Sequence, residues 1–170
     1  MGRFSPLFKR LLRLEPQPED KQYTAQEDFW MEIPSQKVKM DIVGVPKVEG
    51  EWDVSWLWRD AGYLEGSAFP TYSGNSVITG HVYLPNGLPG PFVDISKLKY
   101  GDRIQVHAYD QTFIYEVRKV EYLKPTDVSK AFEHKEDSWV TLLTCRSYDE
   151  KSDSYRQRVA VKAVLIKVIR

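Results

Sequence analysis

From residue 29 onward, apolar and polar residues alternate with a period of two through much of this chain, the pattern of strands that bury one face. Val38, Met40, Ile42 and Gly44 alternate with Lys39, Asp41 and Val43, which predicts a half-buried strand. Asn75–Thr79 follows the Ser73-Gly74 turn signal and predicts a second strand ending at Gly80-His81. Arg103–Tyr109 resumes the alternation, and Asp110-Gln111 is expected to turn a hairpin into Phe113–Val120. Trp139–Cys145 and Arg158–Val168 supply the last strands, joined by the polar loop Arg146–Gln157. Between these runs, Trp52, Trp56 and Trp58 read as a loop or short helix capping a core. Leu84–Pro91 is too rich in Pro and Gly for a strand in mid-sheet. Ile95–Leu98 reads as a helical turn, and Lys124–Glu136 as a polar, helix-permissive segment with Thr126 or Asp127 as N-cap. About seven short strands with only brief helices predict an all-β domain, either an antiparallel sandwich or a closed barrel.

Residues 1–14 break the alternation. Arg3, Lys9, Arg10 and Arg13 stand there without an acid, and Leu7, Phe8, Leu11, Leu12 and Leu14 fall at helical spacing. This predicts a short basic amphipathic helix starting near Ser5-Pro6, either docked on the body or lying on an anionic membrane surface. The stretch is too polar for a secretory signal, and Glu15-Pro-Gln-Pro-Glu-Asp20 reads as a linker. The chain is therefore expected to divide into a terminal segment, 1–28, and a folded domain, 29–170. With 42% hydrophobic and 28% charged residues over 170 positions, the composition excludes disorder over most of the chain and suits one domain. Lys plus Arg and Asp plus Glu balance at 24 each, so no net charge recruits nucleic acid. No apolar run approaches the length of a membrane-spanning helix.

One cysteine excludes an internal disulfide and leaves Cys145 for packing, chemistry or an intermolecular bond. It ends the β-rich run Val140-Thr-Leu-Leu-Thr-Cys145 against a polar loop, where a thiol can meet solvent and substrate. A nucleophilic thiol needs a base or a cation beside it. Of the three histidines, His107 lies mid-strand and His134 lies between Glu133 and Lys135, so both read as structural or solvent-facing. His81 closes a strand behind Thr79-Gly80, and the glycine permits close approach of backbone or substrate. Arg158 opens the last strand, with Arg156 two residues before it. Either offers a cation for a developing oxyanion. Glu133, Glu136 and Asp137 read as a solvated charged face, and neither a metal nor a cofactor is expected.

Taken together these residues resemble the sortases, cysteine transpeptidases of bacterial cell surfaces. Thr141-Leu-Leu-Thr-Cys145 is similar to their TLxTC signature, and Gly74-Asn75 leading into Thr79-Gly80-His81 to the segment that carries their histidine. Phe92–Leu98 with Gly101-Asp102 resembles the stretch that follows. Arg158, thirteen residues after the cysteine and followed by Val159-Ala160-Val161, falls where the family arginine is expected. The ordered motifs run over roughly residues 33–169.

The resemblance implies a closed barrel of seven or eight strands with the site at one rim. It also implies an extracytoplasmic enzyme that cuts an LPxTG-like sorting peptide between its last two residues. Cys145 would form a thioacyl intermediate, His81 would donate a proton to the departing amine, and Arg158 would hold substrate and oxyanion. Thr79, Leu143 and Thr144, next to these groups, are expected to contact the peptide, and Lys124–Ser138 to wall its groove. An amine from the cell envelope or from another protein would accept the acyl group. Members of the family carry an N-terminal signal anchor, for which residues 1–28 offer only their basic amphipathic stretch. Two other readings stand beside this one. An L,D-transpeptidase is also β-rich and Cys/His-dependent, but its cysteine sits in a glycine-rich context unlike Leu143-Thr144-Cys145. A non-catalytic barrel could grip a partner through Trp52–Trp58, but it would have no need to keep Cys145, His81 and Arg158 together.

Overall fold

The computed structural model describes residues 29–144, 148–149, 154–155 and 157–170. Residues 1–28, Cys145 and Arg156 lie outside the described residues, as does most of the Arg146–Gln157 loop. The strands are β1 (Trp30–Ile33), β2 (Val38–Val45), β3 (Lys47–Val48), β4 (Glu51–Trp52), β5 (Ala61–Leu64), β6 (Gly74–Gly80), β7 (Arg103–Ala108), β8 (Gln111–Leu123), β9 (Ser138–Thr144), β10 (Tyr148–Asp149), β11 (Ser154–Tyr155) and β12 (Arg158–Ile169). Eight of them form a closed barrel in the order β1-β2-β5-β6-β9-β12-β8-β7, sealed by β1 pairing with β7. The all-β closed barrel expected from the alternation is the fold observed. It is not purely antiparallel, however: β2 pairs parallel with β5, and β6 with β9.

The inward residues make one apolar cluster that includes Met31, Ile33, Ile78, Phe92, Ile104, Tyr115, Leu142 and Val161. A second cluster lies on the outer face of the sheet. Val43, Val45, Leu64, Val77, Leu143 and Ala160 pack there under Leu57, Ala131 and the partly buried Trp52, Val54, Trp56, Val128 and Phe132. This second layer explains why β2 departs from strict alternation. Val43, expected outward and polar-facing, is buried because other segments roof the outside of its strand.

The two roofing segments flank the site. One is the chain from β3 through Trp56, where β3 and β4 form a small hairpin and no helix. Trp58 beyond it is 46% exposed. The other is a 3-10 helix, Pro125–Phe132. Neither Thr126 nor Asp127 caps it. Lys124 holds the cap position without a side-chain bond, and Pro125 starts the helix, where its missing N–H costs nothing. The β7–β8 turn also sits one residue earlier than expected. Ala108 pairs with Gln111, and Tyr109 and Asp110 form the loop, both with positive φ. A two-residue loop of that hand matches the twist of the strands it joins.

Candidate active site

Three adjacent strands reach one rim at the same level. In the parallel pair β6–β9, Gly80 is the register partner of Thr144. In the antiparallel pair β9–β12, Ala160 partners Leu143, and the Val159 N–H donates to Thr144 Oγ1 at 2.9 Å. Gly80 directly precedes His81 in sequence, Thr144 directly precedes Cys145, and Val159 directly follows Arg158. The residues that the sequence singled out across 78 positions therefore each adjoin one of three neighbouring strand ends.

Local packing explains why the histidine strand ends in glycine. A Cβ on Gly80 would meet the Phe92 ring at 2.8 Å, so glycine lets that ring close over the barrel mouth. Phe92 N–H donates to the His81 carbonyl at 3.0 Å, tying the chain after the strand to the same ring. Gly90 lies still closer, since a Cβ there would stand 2.2 Å from the His81 carbonyl oxygen. His81 is thus held from below by a Pro/Gly-rich loop in which Leu84–Gly87 is a turn, as its composition implied.

His81 is half-buried. Burial holds its imidazole below the ordinary value of 6.5, and a hydrogen bond to the Val54 backbone works in the opposite direction. Its Nε2 is buried and has no hydrogen-bond partner among the described residues. An imidazole with one open nitrogen can exchange a proton with a group brought beside it.

The outward residues next to this rim line a cleft of about 540 Å³. Thr79, Leu143 and Leu64 form its floor, Arg158 stands at its mouth, Trp52–Ser55 make one wall, and Pro125 and Val128 the other. The Thr79 hydroxyl donates to the Leu143 carbonyl at 2.7 Å, tying β6 to β9 under the cleft. Trp52 stacks on Phe132 with ring centroids 5.2 Å apart, joining the two walls. Thr144 lines a different and smaller cleft of about 150 Å³, with Val82, Phe92, Ser96 and Gln157. Among the expected contact residues, the structure therefore unites Thr79, Leu143 and Arg158 on one cleft and sets Thr144 on a second.

The other two histidines lie away from this cleft lining, His134 at the surface. His107 stacks on Trp30 at 3.9 Å between centroids and bonds Glu32 and Thr112. Among the described residues no group of three or more His, Cys, Asp or Glu is placed to hold a metal. Glu133, read as part of a solvated face, is exposed and also faces Lys162 at 3.5 Å.

Val128 falls within the Lys124–Ser138 segment expected to wall the groove, and Trp52 and Val54 within the Trp52–Trp58 stretch. Which of their side chains line the cleft was not legible, because nothing local marks a hydrophobic residue as a cleft wall. Asn75 was noted as part of a motif without a task. Its side chain donates to the carbonyls of Ala131 at 2.8 Å and Glu133 at 3.0 Å, and accepts from Thr141 Oγ1 at 2.7 Å. Asn75 and Thr141 thus fasten the cleft-wall helix to the sheet.

Comparison with known proteins points the same way. The Sortase domain family model matches residues 31–166. Sortase A of Staphylococcus aureus (strain NCTC 8325 / PS 47) is 30% identical over 96 residues, a stretch covering 55% of this chain and 45% of that protein. Sortase A from Corynebacterium diphtheriae, solved as a lid mutant, superposes with a TM-score of 0.67 at 25% identity, over 88% of this chain and 74% of that one. Sortase C1 from Streptococcus suis gives 0.67 at 26% identity, over 95% and 80%. The chain matches less than half the length of the curated Staphylococcus aureus relative.

Proposed function

Since the family match extends over most of the chain, the protein belongs to the sortase family, and from that premise we propose that it is a cysteine transpeptidase acting on LPxTG-like sorting peptides. We assign Cys145 as nucleophile, His81 as acid and base, and Arg158 as the cation for the oxyanion, with residues 29–170 as the catalytic domain. The observation that carries this reading is the common level of Gly80, Thr144 and Val159 at one rim, beside a cleft lined by Thr79, Leu143 and Arg158. Arg158, which lines that cleft, is preferred to Arg156 for its spacing from Cys145.

In the proposed reaction the peptide lies extended between the Trp52–Ser55 wall and the Pro125–Phe132 helix. The Cys145 sulfur attacks the threonine carbonyl carbon as its thiol proton passes to His81, and the C–O π electrons move onto oxygen beside Arg158. Collapse breaks the C–N bond, and the departing amine takes a proton from His81, leaving a thioester. An incoming amine then attacks the thioester, gives its proton to His81 and expels the thiolate. The covalent intermediate separates cleavage from transfer, which lets an amine compete with water. The place of action is the outer face of the cell membrane. Among the described residues no helix is long and apolar enough to cross a membrane, and we assign any membrane contact to residues 1–28.

The test is mass spectrometry of the protein incubated with sorting-peptide libraries and several amine acceptors. The expected result is a thioacyl adduct on Cys145 and amine-linked product, both lost in Cys145→Ala with the melting temperature nearly unchanged. Turnover that survives Cys145→Ala, or that is abolished by Arg156→Ala and spared by Arg158→Ala, overturns the corresponding assignment.

A further inference from the structure

One charged side chain is almost fully enclosed, and the proposed chemistry makes no use of it. Lys162 lies on β12, and its side chain is only 7% exposed. By alternation it points to the outer face of the sheet, on the same side as Ala160 of the outer cluster. The Pro125–Phe132 helix covers it there. Lys162 Nζ donates to the Lys130 carbonyl at 3.3 Å and faces Glu121 of β8 at 3.4 Å and Glu133, just past the helix, at 3.5 Å.

Enclosing an ammonium without partners is strongly unfavourable, so a position like this persists only where all its hydrogens meet oxygen. Here the three oxygens come from two bodies. Glu121 belongs to the barrel, and its carboxylate is held low by a hydrogen bond from Lys119 and, against burial, by the nearby Lys162 charge. Lys130 and Glu133 belong to the helix and its end. The ammonium therefore bridges barrel and helix.

Asn75 makes a second tie to the same end, through the carbonyls of Ala131 and Glu133. The last turn of a helix leaves carbonyls without partners inside the helix. In this protein, side chains rising from β6 and β12 bond the carbonyls of Lys130 and Ala131 in the last turn and of Glu133 just past it. The opposite end of the same helix supplies Pro125 and Val128 to the cleft. The tie and the cleft thus lie on one short rigid element.

We propose that Lys162 is a positioning residue for peptide recognition: it pins the end of the Pro125–Phe132 helix to the barrel and so sets the width of the cleft between that helix and the Trp52–Ser55 wall. The inference rests on the transpeptidase reading for its substrate. Lys162 is not itself a cleft-lining residue, and its effect falls on peptide binding through the helix.

Three variants test this: Lys162→Met, Lys162→Arg, and the double variant Glu121→Gln with Lys162→Met, which also removes the charge of the barrel carboxylate that faces Lys162. For each, steady-state kinetics on an LPxTG peptide with a fixed amine are compared with the melting temperature and with amide hydrogen exchange of residues 125–133. Lys162→Met is expected to raise KM about tenfold while kcat changes little, the signature of lost uniform binding. Exchange across 125–133 quickens, and Lys162→Arg restores part of both. The double variant recovers melting temperature but keeps the raised KM. A KM unchanged in Lys162→Met, a KM that recovers together with the melting temperature, or exchange that stays slow overturns the proposal. If the wild-type protein processes no sorting peptide, the transpeptidase reading fails and the KM consequence with it. The exchange comparison, which needs no substrate, still decides whether Lys162 holds the helix.

Discussion

The two faces of the β6–β9–β12 sheet are built by different means. Inside, Ile78, Leu142 and Val161 are fully buried in the apolar cluster of the barrel, so area and close packing order them. Outside, Val77, Leu143 and Ala160 are roofed by a hairpin and a short helix that belong to no strand of the barrel. That roof is fixed at points by directional bonds from Asn75, Thr141 and Lys162. The difference matters for function. A face sealed by packing alone leaves no room for a peptide, whereas a roof tied at one end can stand open at the other. The cleft lies at the open end, beside the rim that carries His81.

The largest effect expected from this contrast separates stability from recognition on a single strand and its roof. Ile78→Ala removes a fully buried interior side chain and is expected to cost about 4 kcal/mol of unfolding free energy. Well below its lowered melting point, its KM for a sorting peptide stays near the wild-type value. Val128→Ala, on the partly buried wall, costs far less stability and raises KM. Denaturant unfolding and peptide kinetics on both variants check this. If Ile78→Ala moved KM more than Val128→Ala at matched fractions folded, the two faces would not be functionally separate.

Asn75→Ala follows in size. It strands the carbonyls of Ala131 and Glu133 and the hydroxyl of Thr141, and buried groups left unpaired make a loss of about 2–3 kcal/mol the expectation. Asn75→Asp keeps the oxygen that Thr141 bonds but removes the donor to the helix. It is therefore expected to loosen residues 125–133 in hydrogen exchange while β6 and β9 stay protected. Equal loss of protection in the strands would mean that Asn75 serves the barrel and not its roof.

The same contrast explains what could be read from the sequence. Alternation finds a strand wherever one face is buried and the other wet, so β6, β7, β8, β9 and β12 were legible. It fails at Val43 and Lys162, which are covered from outside by segments distant in sequence. A lysine within an alternating strand reads as solvent-facing because nothing local announces the helix above it. The parallel pairings β2–β5 and β6–β9 were likewise hidden, since pairing depends on crossovers that local pattern does not encode. His81 and Arg158 were legible because strand ends flanked by glycine or polar loops mark a rim. The family resemblance named the Lys124–Ser138 wall that holds Val128, but the opposite wall, Trp52 and Val54, is made of ordinary hydrophobes until the fold brings them to the cleft.

The smallest expected effect concerns the boundary between the two faces, where His81 sits. Burial depresses its pKa below 6.5, so the unfolded chain binds a proton at a pH where the folded protein does not. Between the folded value and 6.5, unfolding free energy therefore rises with pH. The stabilising contribution is complete above the unfolded value and is lost as the solution is acidified through the folded one. Urea unfolding followed from about pH 8 down to about pH 5, the range in which histidines change charge, is expected to show this decline. The matched His81→Asn curve should lack the part that His81 contributes, while everything the two proteins share cancels between them. Lengthening the Trp52–Ser55 wall by two glycines should weaken the enclosure and move the histidine's titration, followed by NMR, back toward 6.5. A wild-type and His81→Asn pair with parallel curves would mean that the roof does not enclose the imidazole, and the rim would then belong to the solvent side of the molecule.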